Sequence, residues 1–199
     1  MARKAQAVQQ EVNIPAMNLV RSQITIEGLS PLITHRFSDK SITEIEDKQQ
    51  GKAKAPRRSR VPQEEFEAAL YLLPKAVNGC KYGVPAAAIK KAVVFGAYRL
   101  AEQDTGPTKG GFHIVGDILP IKGSAPTMRT DMVKQGMARV PRYRPQFDVW
   151  SVEFEVDLNA SVLSLERLVQ LIDIAGFGIG IGDWRPEKNG SFGRFRVKR

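Results

Sequence analysis

Two segments alternate apolar and polar residues with the two-residue period of a half-buried β-strand. The first begins at Ser22, turns Ile24 and Ile26 inward, and ends at Gly28. The second is longer and sets Trp150, Val152, Phe154, Val156 and Leu158 against Ser151, Glu153, Glu155 and Asp157. Because its outward positions carry carboxylates, the sequence predicts a strand with an acidic outer face.

Two further segments have the period of an amphipathic helix. Pro85 suits the first turn of a helix, and the residues that follow place Ile89, Val93, Ala97 and Leu100 on one face. Ser164 is a typical N-cap for a second helix, whose apolar stripe is Leu165, Leu168, Val169, Ile172 and Ala175. Gly176 is predicted to end this helix.

The remaining elements follow from apolar content and turn residues. Phe112–Ile121 and Phe192–Val197 are predicted to be strands, residues 106–111 a loop, and residues 64–73 fit either a helix or the beginning of a strand. With an insertion after the first strand, the resulting order is βαββαβ. We therefore predict an α+β fold with a ferredoxin-like or RRM-like sheet and long basic loop insertions.

The length of 199 residues suits one domain with a substantial core. Residues 1–20 show no sustained period, so they are predicted to form a flexible N-terminal arm, and residues 21–199 a single α+β domain. Within that domain we expect a basic insertion at about 38–62 and a second basic loop or hairpin at about 125–146.

The charge balance narrows the choice of partner. The chain has 30 Lys and Arg against 21 Asp and Glu, a net charge of +9, and its pI is about 9.8. A basic excess favours polyanions, because each phosphate neutralised by Lys or Arg releases condensed counterions. Net charge alone also fits an alternative, in which the basic surplus serves only to keep the protein soluble.

The basic residues are clustered, and this favours a nucleic acid. Residues 48–60 contain no acid and hold Lys48, Lys52, Lys54, Arg57, Arg58 and Arg60. Residues 129–144 hold Arg129, Lys134, Arg139, Arg142 and Arg144 against Asp131. Both segments are predicted to contact phosphates.

The least generic part of the sequence is the glycine-rich stretch that begins at Gly176. Glycines at every second position up to Gly182 fit either close passage of two backbones or a loop whose amides face an anion. A dinucleotide fingerprint starting at Gly178 would need glycine where Asp183 stands, and no GK[ST] follows. No cofactor is therefore expected.

A predicted C-terminal hairpin follows these glycines. It brings together the guanidiniums and rings that contact phosphates and stack on bases: Trp184, Arg185, Phe192, Arg194, Phe195 and Arg196. The alternative is that the phenyl rings complete the core and Trp184 covers the helix end. Since the Trp150 strand presents acids, contact with a nucleic acid is expected from loops and not across the sheet.

Other classes of site have little support in the sequence. Cys80 is the only cysteine and cannot form an internal disulfide, and His35 and His113 lie too far apart for a recognisable metal spacing. No apolar run is long enough to span a bilayer, and the polar start lacks a secretory h-region. We expect a cytoplasmic protein with neither metal nor membrane contact.

Three features together resemble known families. They are the first strand, the helix start Val84-Pro-Ala-Ala-Ala-Ile-Lys-Lys-Ala92, and the late glycine-rich loop that ends in Gly190-Ser-Phe-Gly-Arg-Phe195. The helix and the last two dozen residues resemble the repeat-associated (RAMP) superfamily, whose RRM-like backbone subunits coat CRISPR guide RNA. Most of the chain also resembles a protein family of tailed phages and prophages.

The RAMP resemblance implies contact with RNA or single-stranded DNA by Gly178 to Arg194, and head-to-tail assembly into a homo-oligomer or larger complex. Some members of that superfamily cut RNA with a histidine, which makes His35 a candidate for a metal-independent nuclease. His35 has no second base or nucleophile at a recognisable spacing, so we interpret it as structural and predict no enzymatic activity.

The sequence therefore predicts a non-catalytic protein that binds single-stranded RNA or DNA. The predicted contact residues are Lys52, Lys54, Arg57, Arg58, Arg60, Arg129, Lys134, Arg139, Arg142, Arg144, Gly180, Gly182, Trp184, Arg185, Lys188, Phe192, Arg194 and Arg196. The alternative is a phage or prophage assembly or anti-defence factor that uses the same loops to bind an acidic protein. Exposed rings at Trp184 and Phe192 would favour bases, whereas buried rings would leave a charged patch.

Overall fold

The structure of the protein is a computed structural model that describes residues 16–36, 43, 46, 47, 49–51, 61–77 and 79–199. Most of the predicted insertion at about 38–62 lies outside the described residues. All of its candidate contacts, Lys52, Lys54, Arg57, Arg58 and Arg60, lie outside them. Their assignment to phosphates therefore stays a prediction.

The described residues form strands and helices in the following order along the chain. The strands are β1 (Leu19–Gly28), β2 (Leu32–Ile33), β3 (Leu72–Val77), β4 (Cys80–Pro85), β5 (Phe112–Ile114), β6 (Ile118–Gly123), β7 (Thr127–Gln135), β8 (Ala138–Phe147), β9 (Trp150–Asn159) and β10 (Phe195–Val197). The helices are α1 (Pro62–Ala68), α2 (Ala86–Leu100), α3 (Thr105–Gly111) and α4 (Leu165–Gly178), with a 3₁₀ turn at Pro186–Lys188.

The main sheet confirms the predicted ferredoxin-like α+β fold. Its strand order is β10-β1-β9-β6-β4-β3, and every pairing between these strands is antiparallel. Strands β1, β6, β9 and β10, with helices α2 and α4, supply the βαββαβ unit, in which β1 and β9 are central. The β3–β4 hairpin extends the sheet at one edge.

The two long helices pack side by side through small residues. Gly96 of α2 lies against Ala175 of α4, so that a Cβ at position 96 would stand 3.0 Å from the Ala175 backbone. The predicted start of α4 is confirmed, because the Ser164 hydroxyl accepts a hydrogen bond from the Arg167 amide. Buried side chains of both helices join those of β1 and β9 in one apolar core.

Two predicted elements differ from the structure in the middle of the chain. The predicted strand Phe112–Ile121 is broken into β5 and β6, because the chain bends at Gly116, whose φ of 97° suits glycine. The predicted loop at 106–111 is instead helix α3, which Asp104 caps by accepting a hydrogen bond from the Gly106 amide.

Two predictions about the C-terminal part are wrong. Gly176 does not end its helix, which continues to Gly178; this glycine is needed because a Cβ there would clash with the carbonyl of Phe195. The predicted C-terminal hairpin is absent: β10 begins at Phe195 and pairs with β1. Residues 179–194 form a loop, which we call the C-terminal loop.

Residues 127–147 form a long antiparallel ribbon of strands β7 and β8, which we call the basic hairpin. Its register runs from Thr127 opposite Gln146 to Gln135 opposite Ala138. Strand β2 pairs with the base of β8 and completes a second, three-stranded sheet. The base of the basic hairpin therefore lies beside the segment that joins β1 to the insertion.

Candidate nucleic-acid interface

Main-chain hydrogen bonds hold the C-terminal loop against the segment around β2. The Asp183 amide donates to the Ile33 carbonyl at 2.9 Å, and the Gly193 amide donates to the Pro31 carbonyl at 2.8 Å. Within the loop, the Ile181 amide donates to the Gly193 carbonyl at 3.0 Å. The shape of the loop is thus fixed by its backbone.

The glycines of this loop permit close backbone approach. A Cβ at Gly182 would clash with the Ile33 carbonyl, and one at Gly193 with the Ile181 carbonyl. The Gly180 amide already donates to the Ala175 carbonyl at 2.8 Å, so it is not directed at an anion. Of the two interpretations of the glycine-rich sequence, this geometry favours packing for Gly180 and Gly182.

Asp183 connects the C-terminal loop to β2 and to the basic hairpin. Its Oδ2 lies 3.1 Å from His35 Nδ1 and 3.2 Å from Arg144 Nε. The Arg144 contact is an ion pair that is out of line for a hydrogen bond. Burial raises the pKa of the Asp183 carboxyl, but the hydrogen bond with His35 and the charges of Arg144 and Arg185 outweigh it and leave the pKa below its usual value.

Glu187 forms a second ionic centre, between the loop and helix α2. Arg185 Nη2 lies 2.6 Å from one of its oxygens, and Arg99 Nη1 lies 2.9 Å from the other. Burial raises the pKa of Glu187, and the two arginines more than offset this and lower it. Arg185 also donates to the Gly182 carbonyl, so its guanidinium holds the loop together.

Several arginines that the sequence assigned to phosphates already have carboxylate partners. In the basic hairpin, Arg129 contacts Asp131 at 2.9 Å and Arg142 contacts Glu65 of α1 at 2.9 Å. In strand β10, Arg196 is paired with Glu27 on the outer face of the main sheet. These side chains stabilise the fold, which reduces the positive charge that they can offer to a ligand.

A second set of predicted cations has no carboxylate partner in the described part of the chain; Lys134, Arg139 and Lys188 are exposed, and Arg194 is half-buried against the Phe177 ring. Among the described residues no carboxylate lies within ion-pair distance of Lys134, Arg139, Lys188 or Arg194. Lys134 and Arg139 face each other across the end of the basic hairpin. Lys188 and Arg194 belong to the C-terminal loop. The cations without carboxylate partners therefore lie in two places, the end of the basic hairpin and the C-terminal loop.

The predicted rings differ in exposure. Trp184 is 42% exposed and has a φ of 53°, a left-handed conformation that is unusual for a bulky residue. Phe192 is half-buried beneath the Arg129 guanidinium, 4.7 Å from the ring centroid. Phe195 is fully buried beside Trp150, so for this ring the core interpretation holds. Trp184 is the ring of this group most accessible to a base.

Sequence reasoning missed a group of rings and cations on the helices. Phe177 of α4 is 69% exposed under Arg194, and Tyr98 of α2 is 63% exposed. Phe95 lies between Lys91 and Arg99, 5.4 and 4.8 Å from its centroid. The available signal is the spacing of positions 91, 95 and 99 along one helix face, which lies beside the apolar stripe that predicts the helix.

The outer face of the main sheet is acidic and occupied by its own ion pairs, as the alternation in β9 predicted. Arg21 binds Asp157 with two hydrogen bonds, and Lys122 pairs with Glu153. The hydrogen bond and charge of Arg21 lower the pKa of Asp157. A strand laid across this face would meet carboxylates and no exposed ring from β1 or β9.

The part of the chain that the structure describes contains no cluster of three or more His, Cys, Asp or Glu side chains that could hold a metal ion. None of its helices is both long and apolar enough to cross a membrane.

Two solved structures align with this chain at low sequence identity. The crystal structure of Cmr6 from Pyrococcus furiosus aligns with a TM-score of 0.45 and 10% identity, covering 92% of this chain and all (100%) of that one. A chain in the cryo-EM structure of the Type III-B Cmr-beta bound to cognate target RNA aligns with a TM-score of 0.45 and 12% identity, covering 89% of this chain and 59% of that one. No family model and no curated protein matches the sequence. The ligand therefore has to be inferred from the side chains of this protein.

Proposed function

We propose that this protein binds single-stranded RNA or DNA through the C-terminal loop and the basic hairpin, without catalysing a reaction. The observation that carries the proposal is a set of cations without carboxylate partners among the described residues. Lys134 and Arg139 lie on the basic hairpin, and Lys188 and the half-buried Arg194 lie on the C-terminal loop, which also carries the exposed ring of Trp184. Phosphates neutralise such cations, and bases stack on such rings.

The distribution of charge supports contact by this region. The outer face of the sheet, which would serve as the platform in an RRM-like mode, presents Glu153, Glu155 and Asp157. Arg21, Lys122 and Arg196 of this face are already paired with its carboxylates, so they offer little positive charge to a polyanion. The loops and the hairpin are therefore the expected contact surface.

The geometry of the basic hairpin supports a ligand that extends along it. Its base contacts the C-terminal loop through the Arg129–Phe192 stack and the Arg144–Asp183 ion pair, and its end carries Lys134. Loop and hairpin are thus one connected surface. A flexible single strand can follow it, and its unpaired bases are available for stacking.

Fluorescence anisotropy with labelled single-stranded RNA, single-stranded DNA and duplex at two salt concentrations tests this proposal. We expect binding to single strands that weakens with salt, because phosphate contacts release counterions. Lys188→Ala with Arg194→Ala should weaken binding, whereas Lys81→Ala with Lys109→Ala, which removes the same charge from other exposed positions, should not. Arg185 is unsuitable for this test because its guanidinium holds the loop.

The outcomes separate the candidate functions. Equal affinity at both salt concentrations, or equal loss in the loop variant and its charge-matched control, would contradict the proposal. Absence of binding even at low salt would favour the alternative, an acidic protein partner of a phage or prophage factor. Cleavage products that disappear in His35→Ala would instead indicate a nuclease.

A further inference from the structure

We infer that the bound strand continues over the outer side of the helices, where Tyr98 and Phe177 stack on its bases. This inference rests on the proposed function and extends it to a surface that the C-terminal loop and the basic hairpin do not include. We call this surface the helix platform and define it by Lys91, Phe95, Tyr98, Arg99, Phe177 and Arg194.

Phe177 forms one end of the helix platform. The inward residues of α4, such as Leu168, Ile172 and Ala175, are buried, and Phe177 points away from them. The Arg194 guanidinium lies 5.0 Å from the ring centroid, yet the side chain remains 69% exposed. A large ring held by a cation and left open to solvent can receive a planar group.

Helix α2 supplies the other end. Positions 91, 95 and 99 follow one another at four-residue spacing, which brings Lys91 and Arg99 to opposite ends of the Phe95 ring. Tyr98, one position away on the same outer side, is 63% exposed. Here a ring available for stacking stands near Lys91, which can reach a phosphate, and near Arg99, whose charge is shared with Glu187.

Contacts between the elements make these two ends one surface that joins the C-terminal loop. Gly178, next to Phe177, abuts the Leu100 side chain at the end of α2, so closely that a Cβ at 178 would clash with it. Arg99 contacts Glu187 of the C-terminal loop at 2.9 Å. A strand leaving the loop at Arg194 would therefore meet Phe177 first and the α2 residues next.

The chemistry of the helix platform matches a single-stranded nucleic acid. Exposed rings alternate with Lys91, Arg99 and Arg194, and the nearby carboxylate of Glu187 is already neutralised by two arginines. Glu102, just beyond the end of α2, is exposed, and Asp173, one turn before Phe177, is half-buried and paired with Arg199. Interleaved rings and cations fit stacked bases joined by phosphates, independently of base sequence.

The test compares normal and abasic strands. Tyr98→Ala and Phe177→Ala should each weaken binding of oligouridine roughly tenfold, since stacking one base contributes on this scale. Neither change should alter binding of an abasic oligomer of the same length, which has phosphates but no bases. Tyr98→Phe and Phe177→Tyr keep a ring and should bind normally, and Val149→Ala, an exposed apolar residue elsewhere, serves as the control.

The inference and the proposed function fail in different ways. Normal binding of oligouridine by both alanine variants, with binding lost in Lys134→Ala with Arg139→Ala, would overturn the helix platform and leave the proposed function intact. Equal weakening for normal and abasic strands would overturn stacking, because the loss would then concern phosphates. If the wild-type protein binds no strand at low salt, both proposals are wrong.

Discussion

At the scale of single residues, Asp183 links pH to stability. His35 and Arg144 hold its pKa below the usual value, so its charged form stabilises the folded state. For a lowered pKa, this contribution is present above the unfolded value of about 3.8 and is lost as the pH falls through the folded pKa. We expect Asp183→Asn to be less stable than wild type at neutral pH.

Chemical denaturation of wild type and Asp183→Asn at neutral and acidic pH measures this linkage. The difference between their free energies of unfolding should shrink as the pH falls below the folded pKa of Asp183. A difference that stays constant with pH would show that the loss comes from packing and not from the charge.

Trp184 is the second residue of interest, because the structure predicts that its substitution changes affinity for a single strand more than it changes the free energy of unfolding. Its left-handed φ of 53° costs of the order of 1–3 kcal/mol for a bulky side chain. Asparagine tolerates this conformation, so Trp184→Asn exchanges the ring contacts for a relaxed backbone. We expect unfolding free energy to change by no more than about 1 kcal/mol, while affinity for a single strand falls.

The check for Trp184 is to measure thermal unfolding and anisotropy on the same samples. Loss of stability and binding together would mean that the ring supports the loop. Unchanged binding would mean that it is not a stacking site.

At the scale of elements, the basic hairpin should contribute to binding through salt-dependent phosphate contacts. Lys134 and Arg139 lie opposite each other and are exposed. For single strands each phosphate contact changes the slope of log K against log salt by about 0.7, so removing both should reduce that slope by about 1.4. A salt titration of Lys134→Ala with Arg139→Ala measures it.

The matched control for the hairpin is Lys81→Ala with Lys109→Ala, which should keep the wild-type slope. If both double variants show the same slope, the hairpin has no role beyond the net charge.

Sequence periodicity predicted the elements whose apolar face is continuous. Helix α2, the start of α4 and strand β9 follow from it because each buries one regular stripe against the core. The failures lie where a tertiary contact overrides the local signal. The glycine at position 176 predicts a helix end, yet it lies inside the helix against the Phe195 carbonyl. The alternation after Phe192 favours a hairpin strand. In the structure the Phe192 amide closes the C-terminal loop by donating to the Trp184 carbonyl, and the strand that begins at Phe195 pairs with β1.

The candidate site was less predictable, for electrostatic reasons. The sequence located the arginines but not their partners, and Glu65, Glu27 and Glu187 are distant in the chain from Arg142, Arg196 and Arg99. Pairing depends on the fold, so a count of cations overestimates the available charge. Lys134, Arg139, Lys188 and the half-buried Arg194, which have no carboxylate partner among the described residues, were all among the predicted residues.

At the scale of the whole molecule, we expect several copies to line up along one strand. The proposed contact surface runs from the C-terminal loop to the end of the basic hairpin, and a strand longer than this surface can hold further copies. Light scattering after size exclusion should show complexes whose protein mass grows in steps of 22.1 kDa as the strand lengthens. A single copy on every length of strand would contradict this prediction, and oligomers without any strand would show that protein contacts suffice.

The backbone anchoring of the C-terminal loop has a consequence for how the protein can evolve. Since main-chain bonds to Pro31 and Ile33 set the loop's path, exposed side chains such as Trp184 and Lys188 contribute little to it. Substitutions at these positions can alter ligand preference while the scaffold persists, much as the variable loops of binding proteins diversify on a fixed frame. The loop is therefore a favourable position for libraries that select new specificities.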